Sequence, residues 1–210
     1  MLRTEFHPAH KTGSKALMIV LHGLGDSVAG YQWLPTALAL PSINYLLVNA
    51  PDPYYGGFAW FDFTGNFGPG VERSRKLLFE LIDAQRAHGF PAREMTLFGF
   101  SQGSLMTIDV GLRYSQKFAG LVGISGAVYE PEKLLKELSP VAMQQRLLIT
   151  HGIADTMIPF HHTAPQIKAL KTYGLQIEWH ELAKEHTIAG EGEIAIIRKF
   201  VVAGYEGKMG

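Results

Sequence analysis

An α/β fold, with a mostly parallel twisted sheet and helices on both faces, is what three features of the sequence predict. Short, near-continuous apolar runs recur along the 210 residues, as parallel strands covered on both faces require. Each run is followed by a longer stretch of helical period, and the alternation persists over nearly the whole chain. No linker or repeat interrupts it, so we expect a single domain, residues 1–210, with its core at about 17–202.

The elements follow in order. Leu17–Leu21 (LMIVL) is the first strand and Tyr45–Asn49 the second. Residues 51–70 (PDPYYGGFAWFDFTGNFGPG) have no clear period and read as a long loop, either a lid or pocket wall or a structural Ω-loop closing one end of the sheet, whose aromatics should be packed down. Residues 72–88 place Leu77, Leu78, Leu81 and Ile82 on one helical face, and Gly89 and Pro91 stop the element. Strands are then expected at Met95–Phe98, Gly120–Ile124, Arg146–Thr150 and Leu175–His180. Helices are expected at Gln102–Tyr114, Pro131–Leu138, Thr163–Tyr173 and Glu193–Val202.

Composition narrows the function. Lys plus Arg and Asp plus Glu number 19 each, without blocks of one sign, which argues against nucleic acid or an anionic membrane as partner. The absence of cysteine excludes disulfides, thiolate metal sites and cysteine nucleophiles. The apolar run 16–21 is too short to span a bilayer, and the expected location is cytoplasmic. No residues have metal-ligand spacing, the pair His161-His162 lacking a partner motif. The aromatics of residues 54–67 could pair two subunits into a homodimer.

The chemistry centres on Gly99-Phe100-Ser101-Gln102-Gly103. A G-x-S-x-G pentapeptide between a strand and a helix makes a tight turn that lifts the serine hydroxyl off the sheet. The N–H of Gln102 at the helix start then faces a developing oxyanion. A serine needs a base, and the base an orienting acid, in the chain order Ser, acid, His. Asp155 follows the strand ending at Thr150, whereas its rival Asp109 lies two turns down the helix after the serine. Of His161, His162, His180 and His186, only His186 sits in the loop between the last strand and last helix, where it can reach over the strand ends. The loop LHGLGD (21–26) should supply a second N–H donor, its His22 bracing the loop.

LHGLGD, AWFDF (59–63), GFSQGS, HGIADTMIP (151–159) and the late histidine resemble the phospholipase/carboxylesterase family of α/β-hydrolases, which includes acyl-protein thioesterases and small carboxylesterases. The resemblance runs over residues 17–202 and implies an α/β-hydrolase fold without cofactor. It implies Ser101 as nucleophile, Asp155 as acid, His186 as base, and Leu24 and Gln102 N–H groups as the oxyanion hole. Trp60 and Ile158 would lie near the acyl pocket. The chain departs from the family at Glu185, where glycine usually precedes the histidine, at Ser104 and in YYGGFA (54–59). The expectation is hydrolysis of small-molecule esters, or thioesters, of short to medium acyl chains. The alternatives are a long-chain acyl-protein thioesterase or lysophospholipase and, from another class, a non-catalytic binding protein.

Overall fold

The computed structural model describes residues 1–205. Its first half contains β1 (Thr4–His7), β2 (Leu17–Leu21), α1 (Leu34–Leu38), β3 (Asn44–Val48), β4 (Asp52–Tyr54), β5 (Gly57–Ala59) and α2 (Gly68–Ala87). Then come β6 (Met95–Phe100), α3 (Gln102–Arg113), β7 (Gly120–Ile124), α4 (Pro131–Lys136), β8 (Arg146–Gly152), α5 (Phe160–Tyr173), β9 (Gln176–Leu182) and α6 (Gly190–Gly204). Seven strands form one sheet in the order β1-β3-β2-β6-β7-β8-β9, and β4 and β5 pair apart from it. All neighbours in the large sheet are parallel except β1, which runs antiparallel to β3 with Thr4 opposite Val48.

The period of two along each strand fills two cores. Leu17, Ile19 and Leu21 of β2 join Leu121, Leu147 and Ile149 beneath Leu78, Leu81 and Ile82 of α2 and Leu105 and Ile108 of α3. Met18 and Val20 point the other way, with Val122 and Leu148, onto Leu34 and Leu38 of α1 and Ile194, Ile197 and Phe200 of α6. The helix α3 is buried from Gln102 to Leu112, which accounts for its apolar residues all round. Within it Asp109 is paired with Arg75 of α2 and Arg113. Burial pushes the Asp109 carboxyl above its ordinary range against the pull of these guanidinium groups. It ties two helices together, and no arrangement here turns it toward the serine.

Several elements differ from expectation. β1 and α1 have no counterpart in the sequence reading, and the irregular stretch 51–70 holds a hairpin, β4–β5, and the first turn of α2. The helix starts at Gly68 because Pro69 near its N-terminus is pre-set for helical φ and needs no N–H partner. Within that stretch Ala59, Trp60 and Phe61 are packed down, whereas Tyr55 and Phe63 stay exposed. β6 runs two residues further, to Phe100, β8 to Gly152 and β9 to Leu182. Among the described residues no helix is long and apolar enough to cross a membrane.

Candidate active site

The turn between β6 and α3 is made of one residue. Ser101 has φ +55° and ψ −116°, a sparsely populated conformation for a side-chain-bearing residue that costs on the order of 1–3 kcal/mol. Its N–H is anchored to the Ile124 carbonyl of β7 at 2.9 Å. The flanking glycines are required by close approach. A Cβ on Gly99 would lie 2.1 Å from the Gly103 carbonyl oxygen, and one on Gly103 would lie 2.1 Å from that of Leu21. The turn therefore closes on itself and presses against the end of β2.

Two loops converge on Ser101. After β8, Asp155 is buried, and its Oδ1 accepts the N–H groups of Met157 (3.0 Å) and Ile158 (2.8 Å). That leaves Oδ2 for His186, whose Nδ1–H donates to it at 2.8 Å. The other ring nitrogen, Nε2, accepts the Ser101 hydroxyl at 2.9 Å. Serine, imidazole and carboxylate thus form one hydrogen-bonded chain across three strand ends. The ring of His186 also packs on Phe100 at 4.9 Å between centroids.

Gly23, in the loop after β2, lies against the serine: a Cβ there would be 3.3 Å from the Ser101 Cβ. Among the described residues, neither the Leu24 N–H nor that of Gln102, the first residue of α3, is bonded to a backbone carbonyl outside that helix. The loop is braced from several sides. Gly25 N–H donates to the Phe58 carbonyl and Phe58 N–H to that of Asp26, both at 2.9 Å, fastening it to the hairpin. His22 donates from Nδ1 to the Gly23 carbonyl at 2.6 Å and accepts Ala50 N–H on Nε2 at 3.0 Å. The Trp60 indole N–H donates to the His22 carbonyl at 2.9 Å.

These bonds define the surroundings of Trp60 and Ile158. Trp60 has no exposed surface, and its indole is committed to the His22 carbonyl. The partly buried Ile158 contributes its backbone, donating to Asp155 and accepting His151 Nε2–H at 2.8 Å. Neither residue lines the cavity that Leu105 borders. That cavity, ≈ 400 Å³, begins one helical turn past Ser101 and is lined by Leu105, Phe67, Val128 and Tyr129. The side chain of Gln102, read only through its backbone, also holds the site together. Its Oε1 accepts Trp60 N–H at 3.0 Å and its Nε2 donates to the Phe61 carbonyl at 3.1 Å. A polar amide beside Ser101 in sequence was the available signal.

The other histidines lie elsewhere. His161 and His162 are exposed in the first turn of α5, and His180 bonds Glu178 on β9 at 2.8 Å. His151 is fully buried below Asp155, with Nε2 3.7 Å from its Oδ2. Burial holds both His22 and His151 below the ordinary imidazole value of 6.5, so the folded chain keeps them neutral. The unfolded chain protonates them near that value, and stability is therefore lost as pH falls through 6.5. Urea denaturation at about pH 7.5 and about pH 5.5 is expected to show this loss, reduced in His151→Gln.

With this geometry in view, the comparisons with known proteins are specific. The model of the phospholipase/carboxylesterase family matches residues 7–203. The chain belongs to that family. It is accordingly a hydrolase of ester bonds with an α/β-hydrolase fold. Acyl-protein thioesterase 1 of Schizosaccharomyces pombe is 32% identical over 157 residues, covering 69% of this chain and 70% of that protein. The crystal structure of esterase PE8 superposes with a TM-score of 0.82 at 26% identity, covering 95% of this chain and 99% of the other. Acyl-protein thioesterase 2 of Zea mays gives a TM-score of 0.81 at 25% identity, with 99% of each chain covered.

Proposed function

We propose that this family member cleaves carboxylic esters, and thioesters, of short to medium acyl chains by acyl transfer through Ser101. The observation that carries the reading is the continuous chain from Ser101 Oγ to His186 Nε2 and from His186 Nδ1 to Asp155, at 2.9 and 2.8 Å. His186 takes the hydroxyl proton as Ser101 attacks the carbonyl carbon. The negative charge that develops on the carbonyl oxygen is met by the N–H groups of Leu24 and of Gln102, the first residue of α3. His186 returns the proton to the leaving alcohol or thiol, leaving an acyl-enzyme. Water attacks the acyl-enzyme with its proton passing to His186, which gives it back to Ser101 as the acid departs. Asp155 keeps Nδ1 protonated throughout and stabilises the imidazolium.

The ≈ 400 Å³ cavity beyond Leu105 supports the chain-length assignment. Its volume lies at the lower end of the ≈ 300–1,000 Å³ range of small-molecule sites, and its lining combines the apolar Leu105, Phe67 and Val128 with the polar Asn66, Glu130 and Gln166. A chain-length series of p-nitrophenyl esters with matched thioesters tests it. We expect kcat/KM to peak at short to medium acyl groups; an optimum at palmitoyl substrates would favour long-chain thioesterase or lysophospholipase action instead. The cysteine-free chain suits the reducing cytoplasm, where we place it as one catalytic unit. Tyr55 and Phe63, exposed in the segment between β3 and α2, are the surface on which two subunits would pair.

A further inference from the structure

We propose that Lys184 and Glu193 are positioning residues that hold the 184–189 loop, and with it His186, in register with Asp155 and Ser101. The proposal rests on the triad reading above. His186 stands in a segment without regular secondary structure, between the end of β9 and the start of α6. Such a segment does not by itself keep an imidazole within hydrogen-bond reach of two partners.

The hydrogen bonds of that loop converge on one buried pair. Lys184 Nζ lies 2.7 Å from Glu193 Oε1, with side-chain exposures of 2% and 0%. The same ammonium donates to the Thr187 carbonyl at 2.7 Å, the residue after His186. Glu193 accepts Ala189 N–H on Oε2 and the Thr150 hydroxyl on Oε1. The carboxylate therefore joins the end of the histidine loop to β8, the strand that leads into the Asp155 loop. On the other side the Lys184 carbonyl accepts Ala154 N–H at 3.2 Å, one residue before Asp155. A Cβ at Gly152 would lie 2.2 Å from that carbonyl oxygen, so glycine is what lets the two loops touch.

Energetics point to a geometric role. An ion pair this deeply buried gains little net stability over apolar residues of equal volume, because both ions lose their water. What it adds is direction, since each bond ends on a particular backbone or hydroxyl atom. Besides Glu193, the titratable groups felt around this cluster are Asp155, His151 and His186, from β8, its loop and the histidine loop. The pair thus takes over the task of shaping a loop in which Glu185, rather than glycine, precedes the histidine.

The test uses the full chain with a p-nitrophenyl butyrate assay and the downfield proton NMR signal of His186 Nδ1–H bonded to Asp155. Lys184→Met, if folded by circular dichroism, is expected to lose about a hundred-fold in kcat with KM within about two-fold, the scale of a misplaced catalytic group. The downfield signal should be lost with it. Glu185→Gln, altering an exposed neighbour with no side-chain partner, should keep both. A folded Lys184→Met with wild-type kcat and an intact signal would overturn the proposal. Should that variant not fold, Thr150→Val removes one bond to Glu193 without unpairing a charge, and the same readouts decide: a lower kcat and weakened signal support the clamp, wild-type values overturn it. His186→Ala run alongside separates the two levels, because wild-type turnover there removes the triad reading itself and the clamp with it.

Discussion

Replacing His186 by alanine is expected to lower kcat by about 10⁶-fold, with KM little changed, the scale of losing the base of a serine nucleophile. Among the described residues, the imidazole bonded to the Ser101 hydroxyl is that of His186, through Nε2 at 2.9 Å. No neighbouring histidine can replace it. The His151 ring is buried, and its Nε2–H is committed to the Ile158 carbonyl. His22 has both ring nitrogens engaged, by Gly23 and Ala50. The small remainder over the uncatalysed rate would come from the Leu24 and Gln102 donors and from substrate binding. Steady-state kinetics on p-nitrophenyl butyrate, with circular dichroism as the control for folding, reads this directly.

Asp155→Asn is expected to cost about 10⁴-fold in kcat while leaving the fold intact. An asparagine keeps one carbonyl oxygen, which can still accept the Met157 and Ile158 N–H groups and hold the loop. Its amide nitrogen would face His186 Nδ1 as a donor. The imidazole would then carry its proton on Nε2 and present no lone pair to Ser101. The variant separates tautomer from architecture: unchanged thermal stability with lost turnover is the expected pairing. Turnover within about tenfold of wild type would show that the carboxylate does not orient the base.

How far these features can be read in the sequence depends on how much of each is local. β2 and β7 are buried along their whole length, so their apolar runs declare them. β1 is a half-exposed edge strand of four residues, TEFH, whose pairing with β3 is decided some forty residues away. α1 has five residues and two buried leucines, too few for a helical period to register. The hairpin β4–β5 has strands of three residues. In the site, Ser101 announces itself because its turn needs glycine at fixed places, and Asp155 because it follows a strand end. His186 carries no local signature and is found through chain order. Lys184 and Glu193 read as ordinary surface charges until the fold buries them together. The bonds of the Gln102 amide and the Trp60 indole are likewise settled by the fold, because their partners are backbone groups of distant loops.

The central claim is that Ser101 is an activated nucleophile, and covalent labelling tests it most directly. Incubating the folded protein with a fluorophosphonate at neutral pH, followed by peptide mapping, should give one adduct, on Ser101. The labelling rate should collapse in His186→Ala. A folded wild-type protein that forms no adduct on Ser101 under those conditions would contradict the account.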